Sequence, residues 1–242
     1  MSLLDWIYPP RCISCRMIFE PVHNTKRLWL CENCKPLLTA VPDPICRICG
    51  HPANAACPSC MGRSFHFKRH RAALLYDDVV RELIHNIKFR SHRRCAQGLG
   101  HIFAEAAEGW GLNGDYIVPI PLHPSKKRSR GFNQAAVLAL PVSKSLGISL
   151  APDMIKRINK TAPQSGLSVQ AREQNLSNAF IFNGKKYGQN KKVILIDDIF
   201  TSGATMNACS LLLMENGINE VNCISLSIAT IQLFKDNFSQ KS

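Results

Sequence analysis

Acidic residues are scarce in this chain of 242 residues: 17 Asp and Glu stand against 30 Lys and Arg, a formal charge of +13. A basic balance of this kind favours partners that carry phosphate, whether a small ligand or a nucleic-acid backbone. Long apolar runs are missing too. No stretch approaches the roughly 18 residues that a membrane-spanning helix requires. The opening "MSLLDWIYPPRC" lacks the basic start and long apolar stretch of a secretory signal. The expected location is the cytoplasm, with peripheral membrane association left open. Aromatics make up only 7% of the chain. Few of them interleave with basic residues, so a stacking platform for single-stranded bases would have to come from Phe65, Phe67, Phe89 and Phe132. No GxxxxGK[ST] loop occurs, which argues against a P-loop nucleotide site. There is no internal repeat and no low-complexity segment.

Cysteine, by contrast, is abundant and clustered. Eight of the eleven fall before residue 61 as four CxxC pairs: Cys12/Cys15, Cys31/Cys34, Cys46/Cys49 and Cys57/Cys60. Two such pairs place four thiolates around a tetrahedral zinc ion. A disulfide framework is the alternative, but a reducing compartment and a large second domain argue against it. Sequential pairing gives two zinc ribbons; the sequence alone does not exclude interleaved pairing. Gly50 and Gly62 follow two of the pairs, where a zinc knuckle needs a tight backbone turn. With four cysteine ligands a zinc ion has no open position, so its role is structural. Two tetrathiolate sites would lower the net charge to about +9. Cys95, Cys209 and Cys223 have no partners at ligand spacing and read as small core residues.

The texture changes after residue 64. Residues 1–64 are short, Pro-rich and Cys-rich, and read as a zinc-binding module. Residues 65–242 alternate strands and helices. Strands are expected at 71–77, 115–122, 178–182, 192–198 and 221–229. Apolar residues at helical spacing predict a helix over 78–89. Ser91 is positioned to cap a second helix running to Trp110. A helix from 131 should end at Gly147 and be kinked or broken by Pro141, and another covers 204–216. Continuous apolar strands alternating with helices imply an α/β fold with a parallel sheet covered by helices on both faces.

Within this frame "VILIDDIFTSGAT" (193–205) carries the chemistry. An apolar strand delivers Asp197 and Asp198 to a carboxyl edge, where ligands bind in open parallel sheets. The loop after them supplies Thr201, Ser202, Gly203, Ala204 and Thr205 and opens a helix, a setting that binds phosphate through backbone N–H groups. Two carboxylates beside a phosphate suit a ligand whose neighbouring hydroxyls donate to them. A ribose 5-phosphate has both parts. A Walker B strand is the competing reading, and it lacks its P-loop.

This stretch resembles the fingerprint of the type I phosphoribosyltransferases, which bind 5-phosphoribosyl 1-diphosphate (PRPP). Phe200 departs from it, since a smaller aliphatic residue is usual there. The resemblance implies that Asp197 and Asp198 hold the ribose diol and that 201–205 hold the 5-phosphate. "VPIPLHPSKKRSRGFNQ" (118–134) stands in the place of the family's diphosphate loop, with Arg128 and Arg130 as candidate contacts and His123 as a candidate proton acceptor. "RINKTAPQSGLSVQAREQN" (157–175) stands in the place of its mobile loop, with Lys160 as a further contact and Arg157 and Arg172 beside it. RGFNQ, the R-x-x-K-T-x-x-Q pattern and the CxxC set together resemble the ComF competence family over nearly the whole chain. That resemblance implies structural zinc, magnesium carried with PRPP, and an accessory role in the uptake of transforming DNA. Single-stranded DNA or the uptake machinery would then be partners, met by the zinc ribbons and by residues 126–172, which hold nine Lys and Arg against one acid. The alternative it leaves is an active transferase passing phosphoribosyl to a small nitrogen acceptor with release of diphosphate.

Overall fold

Five parallel strands form the centre of the molecule, in the order β1-β7-β6-β2-β3. The structure is a computed structural model that describes residues 11–18, 30–54, 56–89, 92–158 and 178–229. In chain order the elements are β1 (Arg69–Leu75), α1 (Asp78–Phe89), α2 (Arg93–Glu108), β2 (Tyr116–Pro119), α3 (Pro124–Arg130), α4 (Gln134–Leu146), β3 (Ser149–Leu150), β4 (Ile155–Arg157), β5 (Phe180–Phe182), β6 (Lys191–Phe200), α5 (Ala204–Glu215) and β7 (Ile218–Ile228). No helix among the described residues is long and apolar enough to cross a membrane.

The continuous apolar run of β6 follows from burial on both sides. Ile194 and Ile196 pack with α1, α2 and α4 residues such as Leu83, Phe103 and Leu138. Val193 and Leu195 face the other way, among Met206, Cys209 and Leu213 of α5. Cys95, Cys209 and Cys223 are buried core residues, as the sequence implies.

Two expectations are corrected. Pro141 lies inside α4, yet the helix runs unbroken from Gln134 to Leu146 before Gly147 ends it in the left-handed conformation. The reason is tertiary: Pro141 packs against α2 at Gly100, where an added Cβ would sit 3.0 Å from the proline ring. The strand at 180–182 lies outside the parallel sheet and pairs antiparallel with β4, which the sequence reading did not separate from the loop after it. β4 is only three residues long, too short for periodicity to register. At α2, His92 is the N-cap residue, without a side-chain cap, and Ser91 lies outside the described residues.

The strand order places a reversal beside β6. From β2 the chain moves outward to β3, and from β6 it moves the opposite way through α5 to β7. The β2–β6 boundary is therefore the switch point at which open α/β sheets form their ligand crevice.

Candidate ligand and zinc sites

The cysteines form two tetrads, Cys12/Cys15/Cys31/Cys34 and Cys46/Cys49/Cys57/Cys60, each with its four sulfurs within 4.8 Å of one another. Sequential pairing is thus the observed arrangement. Sulfur separations are 3.7 Å for Cys15–Cys31, 3.7 Å for Cys46–Cys60 and 3.4 Å for Cys49–Cys57. A tetrahedral zinc with bonds of about 2.3 Å sets its sulfurs roughly 3.8 Å apart. Disulfide sulfurs lie at about 2.05 Å, and all eight cysteines are free thiols. The donor set fits zinc, and four thiolates leave no position for substrate, so the metal would brace the fold.

The tetrads dock on different faces of the sheet. Cys12 and Cys34 belong to the cluster containing α1 and α2. Cys49 and Cys57 belong to the cluster containing α5 and Phe200. Between them the chain runs along β1, where Ala40 bridges Leu74 and the Leu75 N–H donates to the Thr39 carbonyl. That contact covers an edge strand which would otherwise offer open hydrogen-bonding groups.

At the switch point the two acids occupy unequal positions. Pairing of β6 with β2 ends at Ile196, but pairing with β7 continues through Asp197↔Ser225 and Phe200↔Ile228. Asp197 and Asp198 therefore lie inside the strand rather than beyond it, and alternation turns them to opposite faces. Asp198 is buried, and its Oδ2 lies 2.6 Å from Lys88 Nζ at the end of α1. Asp197 is half-buried on the α5 side and accepts the Asp198 N–H at 2.8 Å. Burial first, and then the neighbouring Asp198 charge, push the Asp197 carboxyl well above its ordinary range, while Lys88 pulls the other way. The resemblance implies that both carboxylates hold one diol; the two carboxyls lie within hydrogen-bonding reach of each other, although strand pairing extends past them.

The loop that follows forms as expected. Gly203 is the N-cap of α5 with φ of 76° and no side chain to cap the helix. Ser202 Oγ accepts weakly from the Ala204 N–H at 3.4 Å, while Thr201 is exposed and Thr205 half-buried beside it. Across the crevice, the segment expected as a diphosphate loop contains the short helix α3. His123 caps it, its Nδ1 accepting from the Ser125 N–H at 3.2 Å, so the candidate proton acceptor has a structural task. Arg130 is turned inward: its Nε donates to the Lys88 carbonyl at 2.9 Å and its Nη1 to Gln134 Oε1. Arg128 is exposed on the same helix. Lys160 and Arg172 lie outside the described residues. Arg157 is described, stacks over Phe180 at 5.3 Å and feels the charge of Asp197.

The sequence reading missed Lys88 and Arg63. Only a charged residue at the end of an otherwise amphipathic helix marked the first, and nothing local marked the second. Of the aromatic candidates, Phe67 is buried, Phe65 is half-buried and stacks on it, Phe132 packs against the core and Phe89 is 72% exposed.

Comparison with known proteins bears on the whole chain. A double zinc ribbon domain matches residues 3–61, and a phosphoribosyl transferase domain matches residues 128–238. The chain is 30% identical over 231 residues to Competence protein F of Haemophilus influenzae, covering 90% of this chain and 97% of that protein. It is 30% identical over 218 residues to the DNA utilization protein YhgH of Escherichia coli K12, covering 86% and 92%. Competence protein ComFC of Bacillus subtilis is 26% identical over 223 residues, covering 85% and 89%. Two cysteine tetrads of zinc geometry, a parallel sheet with the acid pair and helix mouth at its switch point, and relatives matched almost end to end place the chain in the ComF family of competence proteins.

Proposed function

We propose that this protein binds PRPP with magnesium at the β2–β6 switch point and acts in the cytoplasm as an accessory factor in DNA uptake. The observation that carries the ligand is the order strand, acid pair, left-handed glycine and helix mouth at the one boundary where the sheet reverses. The helix mouth of α5 would hold the 5-phosphate through backbone N–H groups. Asp197 and Asp198 would accept from the ribose hydroxyls, and for Asp198 this means exchanging Lys88 for the sugar. The released ammonium would stand near the diphosphate, with Arg128 and Lys160. Magnesium would be held mainly by ligand oxygens and water. Residues 1–64 would serve as the zinc module and 65–242 as the ligand-binding body.

The DNA role draws on the names of the relatives and on one surface. A cleft of about 390 Å³ beside the first tetrad is lined by Arg11, Arg16, Arg93 and Arg94 with His92, at the start of α2. Such a cluster suits a phosphodiester backbone read without sequence preference. Calorimetric titration with PRPP and magnesium tests the ligand reading. Wild type should bind, and the double variant Asp197→Asn/Asp198→Asn should not. Equal binding by both rejects the site. Single-stranded DNA binding should weaken steeply with salt, and binding that is absent at low salt rejects the DNA reading. Transfer of phosphoribosyl to a small acceptor is the second reading, and acceptor-dependent release of diphosphate would establish it.

A further inference from the structure

Residues 61–68 lead from the second tetrad to β1, and on the way they back the loop that opens α5. Arg63 Nη1 donates to the Ser202 carbonyl at 3.1 Å. The His66 N–H donates to Asn207 Oδ1 at 2.6 Å, and Asn207 Nδ2 donates to the Ser64 carbonyl at 3.4 Å. Phe65 fills the space behind Gly203: a Cβ there would come within 3.1 Å of Phe65 and 2.7 Å of Phe200. The tetrad itself is tied to the same region. His70 Nδ1 donates to the Cys49 carbonyl at 2.8 Å, and the His70 ring stacks on Phe200 at 3.8 Å. His51 Nε2 donates to the Ala229 carbonyl at 2.9 Å, and the Ala229 N–H donates to the Phe200 carbonyl at 2.9 Å.

A trans peptide points its C=O and N–H in opposite directions. Holding the Ser202 carbonyl towards Arg63 therefore turns the Gly203 N–H away from the strap, to the side where an anion at the helix mouth would sit. Asn207, one turn into α5, fixes the helix against the same strap. The first tetrad makes no such contact among the described residues, since it packs with α1 and α2 on the other face.

We propose that Arg63 and Asn207 are positioning residues for the phosphate loop, which makes the second zinc ribbon a working part of the ligand site and leaves the first outside it. This rests on the reading of 201–205 as a 5-phosphate site. The zinc-loaded full chain is titrated with ribose 5-phosphate and, separately, with inorganic diphosphate. Arg63→Ala and Asn207→Ala should each weaken ribose 5-phosphate by about tenfold, the scale of one oriented hydrogen bond. Diphosphate affinity and zinc content should stay as in wild type in both variants, and the melting temperature without added ligand should stay so in Arg63→Ala. Arg63→Lys should restore most of the affinity, and the Gly203 amide resonance should shift on adding ribose 5-phosphate to wild type but less in Arg63→Ala. Cys57→Ser should lose one zinc and weaken ribose 5-phosphate, whereas Cys31→Ser should lose one zinc and leave it unchanged. Undiminished affinity in Arg63→Ala overturns the inference and spares the PRPP reading. Equal loss in both cysteine variants overturns the assignment to the second ribbon. A wild type that binds neither ligand overturns both readings. Arg63 is exposed, so its variants remain decisive if a cysteine variant does not fold.

Discussion

Lys88 Nζ lies 2.6 Å from Asp198 Oδ2 and joins the last turn of α1 to the end of β6. Asp198 is buried and Lys88 about three-quarters so. A charge in that position is tolerated only with its partner. Lys88→Met should destabilise the ligand-free protein by about 2 to 3 kcal/mol at neutral pH. Adding Asp198→Asn should recover most of that loss, because the stranded charge disappears. Urea midpoints of the two single variants and the double variant measure the coupling directly.

Asp197 should set a pH dependence of the opposite sense to an ordinary paired carboxylate. Its carboxyl keeps a proton in the fold that the unfolded chain would release, owing to burial and to Asp198. The folded state then binds more protons, so stability falls as pH rises from the unfolded value of about 4 towards the raised folded one. Asp197→Asn carries no ionisable group and keeps an oxygen for the Asp198 N–H. Its melting temperature should exceed that of wild type by a few degrees at about pH 8. The gap should close near about pH 4. Equal curves for the two proteins across this range would contradict the assignment. The same variant should bind PRPP poorly, so the acid pair trades stability for a ligand.

Gly50 and Gly62 share a positive φ, 72° and 68°, but differ in their surroundings. A Cβ at Gly50 would stand 2.8 Å from the His70 carbonyl, while at Gly62 nothing lies within 4 Å. Gly62→Ala should cost about 1 kcal/mol, the conformational term alone. Gly50→Ala should cost more, about 2 to 3 kcal/mol, and release zinc from the second tetrad at lower chelator concentration. Metal release followed with a colorimetric chelator distinguishes the two.

Phe200 departs from the family fingerprint, and the structure gives the reason. Its ring stacks on His70 and meets the edges of Phe67 and His51, filling the joint between the second ribbon and the phosphate loop. Phe200→Ala should cost about 3 to 5 kcal/mol, and Phe200→Leu should cost less, since a branched side chain still fills part of that space. Denaturant unfolding of both variants checks the order.

Much of the fold was legible because burial on two faces leaves an unmistakable pattern. The helix Asp78–Phe89 appears with the limits its apolar spacing implies, and β6 follows its run of four aliphatic residues. Pro141 was expected to kink or break α4 and does not break it, since intrinsic propensity says nothing of Gly100 in the neighbouring helix. Of the antiparallel pair, the strand at 180–182 was expected, but β4 was missed because three residues carry too little period. At the site, the glycine and hydroxyl loop was found from its composition. Lys88 was not, because its partner lies 110 residues away in sequence.

The sequence by itself determined the chemistry available: eight thiolates in four pairs, an acid pair at the end of an apolar strand, and a small-residue loop opening a helix. These are local facts, set by residue type and spacing. Which cysteines share an ion, which face each acid takes and which ribbon backs the phosphate loop were decided only by tertiary structure. Each depends on contacts between distant segments, whose geometry exists only after the sheet has paired and both of its faces have been covered.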